Sequence, residues 1–360
     1  LFGKEDKTMT DFIKKLEKEF NTQIIYSKDP IWENYYDVDK DGKIITLFLR
    51  YVDLNKLDVL LPIAESLINL AVIDCKIKTL RGLKSFTRLE VLSLRLNNLH
   101  SSTMGYLKHL KNLRKLDLRG VNLKDTSYLG YLTNLEMLFI GGSDRLYEVR
   151  GLEGLKSLYY LDTSYCRINN IGNICANENI RSLKLEGTKI KKITHLDRFP
   201  NLESLNIDCT HVKKIEGLEN SKDLKKLFIS TRGIKRIEGL ENLSKLEVLD
   251  LNLNEISKIE GLDHLTNLKW LNLNDNHITK VENLDSLINL ELLLLEANKP
   301  ITYFDTMFFN NLVSDCYIYI RGEKDIEKIQ AAAPENVKIN YDDKHRWPTS
   351  LYRGPIDVFR

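Results

Sequence analysis

Three carboxylates at alternate positions ahead of a glycine open the search for chemistry in this sequence. The segment D-V-D-K-D-G-K at 37 to 43 places Asp37, Asp39, Asp41 and Gly42 as the first half of a calcium loop would. Such a loop takes oxygen ligands from alternate residues, and its glycine allows the sharp turn. It also needs a bidentate carboxylate at the twelfth position, which here is Phe48. The segment therefore reads as an acidic turn leading into a strand.

A second cluster, Asp208, Cys209 and His211, holds metal-ligating residue types within four positions. No further histidine or cysteine stands at ligand spacing from it, so it reads as an ordinary loop and no metal is expected. The five cysteines (75, 166, 175, 209 and 316) are odd in number and scattered, which does not make a disulfide framework. They imply a reducing, cytoplasmic home. No phosphate-binding loop, nucleophile elbow or zinc-protease motif occurs, and Gly141-Gly142 reads as turn relief. The chain is expected to be non-catalytic and to need no cofactor.

Composition narrows the partners. Fifty-three basic and 51 acidic residues leave a net charge of +2, without the basic excess of a general nucleic-acid binder. No run of 18 apolar residues suggests a membrane span, and no apolar signal segment opens the sequence. A protein partner, no nucleic acid, no membrane and a monomeric state are the expectations.

The elements that must position any such site follow from one pattern. The template L-x-x-L-x-L-x-x-N-x-L recurs from Ile44, Leu67, Leu89, Leu113, Leu135, Leu158, Ile180, Leu202, Leu224, Leu246, Leu268 and Leu290. The spacing varies between 22 and 24 residues up to Leu158 and is 22 thereafter. A fixed period of that size marks a stack of like units, none of which can bury its apolar face alone. The L-x-L pair, such as Leu271 and Leu273, belongs to a short strand with both side chains inward. Ile256, Ile259, Leu262 and Leu265 follow at spacings of three, which fits a tight 3₁₀ backing. In the ninth slot Asn97, Asn254, Asn276 and Asn298 offer an amide that both donates and accepts. Cys75, Cys166, Thr188 and Thr210 take the same place, whereas Val52, Val121 and Arg232 break the series. Arg232 is expected to swing outward, because a buried unpaired guanidinium is costly.

This twelvefold pattern resembles the leucine-rich repeat family in its short 22-residue form, shared by internalins and nuclear phosphatase regulators. The resemblance covers about residues 44 to 301. It implies an α/β solenoid: an arc with a parallel sheet on its concave face, 3₁₀ or loop segments on its convex face, and a cap at each end. The domains expected are an N-terminal cap over 1–43, twelve repeats over 44–301, and a C-terminal cap and tail over 302–360. In the first cap, Phe12, Ile13, Leu16 and Phe20 share one helical face behind Thr10 or Asp11, and 22 to 27 reads as a strand. In the last, strands at 316–322 and 337–341 flank a helix, and the tail with Arg346, Trp347, Tyr352, Arg353, Phe359 and Arg360 is expected to wrap the final repeat.

Slots three, five, seven and eight of the template are expected to face solvent on the concave side and to carry function. In the seventh slots Arg50, Arg95 and Arg119 make the first third of that face basic, while Glu186, Asp208 and Glu296 among neutral residues make the rest acidic or neutral. Met137 and Phe139 beside Tyr160, Asp162 and Tyr165 form an aromatic patch of the kind enriched at interfaces. Phe228 and Trp270 extend the apolar character toward the C-terminus. The reading is a protein-recognition scaffold, with a targeting or sensor subunit of a phosphatase, ubiquitin ligase or NTPase as the alternative.

The resemblance to the phosphatase-regulator branch rests on alternating acidic and aromatic fifth slots, Asp117, Phe139, Asp162 and Asp250. Lys184, Asn272 and Leu294 depart from it. The N-terminal helix followed by D-x-D-G and a strand is more similar to caps on bacterial cytosolic repeat proteins.

Overall fold

The computed structural model describes residues 7–29, 32–320 and 326–340. They form two compact units, one ending at Asp162 and the other beginning at Thr163.

The first unit opens with the helix Lys7–Phe20, which buries Ile13 and Leu16. It begins upstream of the expected cap at Thr10 or Asp11, since no proline or glycine in Lys7-Thr8-Met9 stops it. Strand Ile25–Tyr26 pairs in parallel with Tyr35–Val38, which pairs antiparallel with Ile44–Arg50. The acidic segment is the turn of that hairpin. One side-chain oxygen of Asp39 accepts the N–H groups of Asp41 (2.9 Å) and Lys43 (3.0 Å), so it holds backbone.

From there the repeats stack. Strands Ile44–Arg50, Asn69–Ile73, Val91–Ser93, Lys115–Asp117, Met137–Phe139 and Tyr160–Asp162 pair in parallel and in chain order. The register is slot for slot: Leu70 faces Leu92, Leu116 and Leu138 follow, and Leu161 ends the row. The intervening segments form the 3₁₀ turns Leu57–Ile63, Arg81–Ser85, Ser101–His109 and Ser127–Tyr131.

The second unit repeats this design. Strands Ser182–Lys184, Ser204–Asn206, Lys226–Phe228, Val248–Asp250, Trp270–Asn272, Leu292–Leu294, Cys316–Tyr319 and Val337–Asn340 are parallel and in chain order. Helix Ile326–Ala332 connects the last two. Between Ile207 and Ile301 the backing consists of turns and bends with the short strand Lys280–Val281, rather than the 3₁₀ turns expected. Its apolar residues are buried regardless, as Ile259, Leu262 and Leu265 show. The aromatic and basic tail residues from Arg346 to Arg360 lie outside the described residues.

Where the ninth slot holds asparagine or threonine, it seals the turn after the strand. Asn97 donates to the carbonyls of Val72 (2.5 Å) and Leu94 (3.0 Å) and accepts from the N–H groups of Cys75 (3.1 Å) and Ile77 (2.9 Å). Asn276 and Asn298 bridge adjacent repeats in the same way. Thr188 and Thr210 manage one bond each, to the carbonyls of Leu185 (2.6 Å) and Ile207 (2.8 Å). Arg232 is exposed.

A feature the leucine pattern does not display is the left-handed backbone of the eighth slot. Tyr51, Asp74, Leu96, Gly120, Gly142, Tyr165, Gly187, Cys209, Leu253, Asp275 and Ala297 all have φ between +49° and +73°. This conformation turns the chain while its N–H still donates to the next repeat, as from Tyr51 to Ile73 (3.0 Å), Asp74 to Arg95 (2.9 Å) and Leu96 to Arg119 (2.9 Å). Only in the repeat from Leu224 does the role pass to the ninth slot, where Arg232 has φ +59°.

Candidate protein-binding surface

The strand face of the first unit is not the open aromatic patch expected from sequence. Phe139 is only 4% exposed and Tyr160 3%, and Met137 is buried with them in one cluster. At a strand spacing of about 4.8 Å, rings in the third and fifth slots reach their lateral neighbours. The Phe139 and Tyr160 centroids are 4.9 Å apart, and Lys115 Nζ and the Arg119 guanidinium lie 5.3 and 4.9 Å from the Phe139 centroid. Asp162 is buried as well. In the second unit Trp270 is 2% exposed and packs with Val248, Leu292, Leu294 and Tyr319, while Phe228 is half-buried against that cluster. Asp250 is buried. The third and fifth slots are thus a packed layer, and the expectation that they face solvent is corrected for Met137, Phe139, Tyr160, Asp162, Asp250 and Trp270.

What remains accessible is the rim formed by the seventh and eighth slots. In the first unit it runs Arg50-Tyr51, Ile73-Asp74, Arg95-Leu96 and Arg119-Gly120, stepped along the N–H to carbonyl ladder. Tyr51 is 66% exposed and Leu96 53%. The Arg50 guanidinium stacks 4.6 Å from the Tyr51 ring centroid and donates to the carbonyl of Trp32 (2.9 Å), itself 67% exposed.

Arg119 grips the buried carboxylate of Asp117 with two side-chain bonds, Nε at 3.0 Å and Nη2 at 2.6 Å, and Arg95 Nε lies 3.8 Å from the same carboxylate. A two-point grip of this kind holds the guanidinium in one orientation. Arg95 and Arg119 therefore stand at the rim as expected, but as members of a fixed charge cluster. The eighth slot is expected to face solvent, as Tyr51 and Leu96 do, but the sequence singles out neither residue, and Trp32 lies ahead of the first repeat. The glycines at 120, 142 and 187 in that slot were the available signal.

In the second unit the exposed Tyr165 donates its hydroxyl to Glu186 and its ring lies over Gly187. That hydrogen bond, with burial, pushes the phenol up to about 12. Close by, burial raises the carboxyl of Asp208 to about 6, and the negative charges of Asp250 and Glu186 add to it, against the Ser230 N–H that Asp208 accepts at 2.7 Å. A raised carboxyl favours folding where it is protonated. Its stabilisation is complete below the unfolded value of 3.8 and is lost as pH rises through about 6. Asp208→Asn keeps an acceptor for Ser230 and removes the charge. Its melting temperature at pH 7.5 should exceed that of the wild type by roughly 2–6 °C. A thermal series from pH 4 to 8 should show the gap closing on the acidic side; a constant gap would refute the assignment.

Among the described residues no group of three or more histidines, cysteines or acidic residues is placed to hold a metal ion. Cys75 and Cys316 are buried, with thiols pushed up to about 11 and about 12, which makes them packing residues. No described helix is long and apolar enough to cross a membrane.

Comparison with known proteins agrees with this geometry. The leucine rich repeat family model matches residues 222–278. No curated protein matches the chain by sequence. Among solved structures, an internalin (InlF) from Listeria monocytogenes superposes with a TM-score of 0.67 at 23% identity, over 83% of this chain and 87% of that one. A leucine-rich repeat protein from Leptospira interrogans gives 0.64 at 21% identity, over 92% and 86%. InlJ from Listeria monocytogenes, whose functional domain includes a cysteine ladder, gives 0.51 at 18%, over 83% and 73%. These likenesses show a shared fold. Together with twelve in-register templates and the sealing asparagines of the ninth slot, they show that the chain has the leucine-rich repeat fold, with the family's own model matching residues 222–278.

Proposed function

We propose that the chain is a non-catalytic protein-recognition module that holds its partner on the rim of the first unit. The observation that carries this reading is the exposure of Tyr51, Leu96 and Trp32 beside Arg50, Arg95 and Arg119. Tryptophan, tyrosine and arginine are the residues most often responsible for binding energy at protein interfaces. The packed layer beneath, with Phe139 and Asp117 at its centre, supports the reading by holding the rim arginines in place. The partner that fits presents an apolar anchor between acidic side chains. The balanced overall charge and five free cysteines support a cytosolic setting.

The double variant Tyr51→Glu with Leu96→Glu tests this. Both side chains are exposed, so the fold should melt within about 1 °C of the wild type. Capture from lysate, wild type and variant in parallel, should lose its specific protein partner in the variant. A partner recovered equally by both would place the interface elsewhere.

A further inference from the structure

The second unit carries a surface of different chemistry, with no exposed tyrosine, tryptophan or phenylalanine among its described residues between Tyr165 and Leu253. Three consecutive repeats place basic residues in both their twelfth and thirteenth slots: Lys191 and Lys192, Lys213 and Lys214, Lys235 and Arg236. All six are exposed. Repeats stack at about 4.8 Å, so the six cations form two short parallel rows. Lys189 and His211, in the tenth slots, are exposed beside them. A shallow groove of about 380 Å³ lies among Lys191, Lys192, His211, Lys213, Lys214 and Glu216.

The rows are only partly neutralised. Lys214 lies 4.0 Å from Glu238, Lys235 3.6 Å from Glu255 and Arg236 3.0 Å from Glu260. Lys191, Lys192 and Lys213 have no ion-pair partner among the described residues. The net charge of +2 hides this concentration because the balancing acids stand in other slots, the fifteenth among them (Glu216, Glu238 and Glu260).

We infer that this groove binds the phosphodiester backbone of nucleic acid without reading its sequence. Two observations separate that class from an acidic protein. Protein interfaces are depleted in lysine and enriched in aromatic residues, whereas no exposed large hydrophobic residue falls between Tyr165 and Leu253 among the described residues. A regular row of lysines suits an evenly charged polymer, and lysine is among the side chains that contact phosphate oxygens without reading sequence. Apart from the His211 imidazole the groove offers no ring on which bases stack, so no strong sequence preference arises here.

The test uses the full chain with a labelled oligouridylate of about 20 nucleotides and a labelled DNA duplex of about 20 base pairs, read by fluorescence polarisation. With three to five phosphates engaged, single-strand affinity should fall roughly 20- to 100-fold between about 50 and about 200 mM salt. The triple variant Lys191→Glu, Lys192→Glu and Lys213→Glu should bind at least about 10-fold more weakly, with a flatter salt dependence. The same change of charge at Lys14, Lys15 and Lys84 should leave binding within about twofold. Tighter binding of one strand form identifies it as the ligand. Absence of binding at about 50 mM salt, or equal loss in both triple variants, overturns the inference. So does a glutamate decapeptide that competes as well per charge, because the groove would then belong to acidic proteins.

Discussion

Replacing Gly217 with alanine should destabilise the second unit by about 3 kcal/mol, and the melting temperature should fall by roughly 6–12 °C. Two costs combine at this one position. Gly217 has φ +75°, which an alanine adopts only at a penalty of about 1–2 kcal/mol. A Cβ built there would also lie 1.9 Å from the carbonyl oxygen of Ile193, in the preceding repeat, so backbone must move. The slot is occupied by Gly239 and Gly261 in the next two repeats, and by His195 and Asn283 elsewhere, with φ +63° and +61°. Asn283 shows how a side chain is tolerated: its amide donates to the carbonyl of Ile259 at 2.8 Å. Gly217→Asn should therefore melt between the wild type and Gly217→Ala. Gly105→Ala and Gly154→Ala meet nothing within 4 Å and should stay within about 0.5 kcal/mol. Thermal melts of the four variants should rank in that order; an alanine at 217 as harmless as one at 154 would show that the close approach does not hold the stack.

The same glycines illustrate what the sequence displays and what it conceals. Leucines in the fourth and sixth slots have one job in every repeat, as do asparagines wherever they fill the ninth, so identity and spacing alone reveal them. Lateral burial is different. Phe139 and Tyr160 occupy slots that alternate outward on a lone strand, and only their neighbours at strand spacing close over them. The eighth slot escaped for a related reason. Its left-handed backbone is satisfied by tyrosine, leucine, aspartate, cysteine, alanine or glycine, so no residue type marks it. Arg95 and Arg119 were legible as a basic pair, but their shared grip on Asp117 follows from the ladder register that joins Ser93 to Asp117. The lysine rows of the second unit lie in plain view in the sequence and are averaged away by the whole-chain charge.

Substituting Asn254 with leucine should lower stability by about 3–5 kcal/mol, the largest effect expected of a single change in the turn ladder. Leucine carries the same branched set of four side-chain heavy atoms, so no cavity forms, and the loss of the amide is the main change, with the bulkier methyl groups adding to the cost. Asn254 donates to the carbonyls of Ile229 (2.6 Å) and Leu251 (3.0 Å), and its oxygen accepts from the N–H groups of Thr231 and Ile234, both at 3.3 Å. Those 3.3 Å bonds are longer than the pair made by Asn97, because the preceding repeat carries exposed Arg232 in its ninth slot and its turn is shifted by one residue. Asn254 thus seals its own turn and the one that Arg232 leaves without an amide. Removing it strands buried polar backbone on both sides, which costs more than the bonds themselves contribute. Asn254→Thr should lose about half as much, since Thr188 and Thr210 each keep the bond to the carbonyl three residues back. Urea unfolding should move the midpoint in the order Asn, Thr, Leu with the slope unchanged. A leucine variant as stable as the threonine variant would mean that the repeats are held by their apolar columns alone.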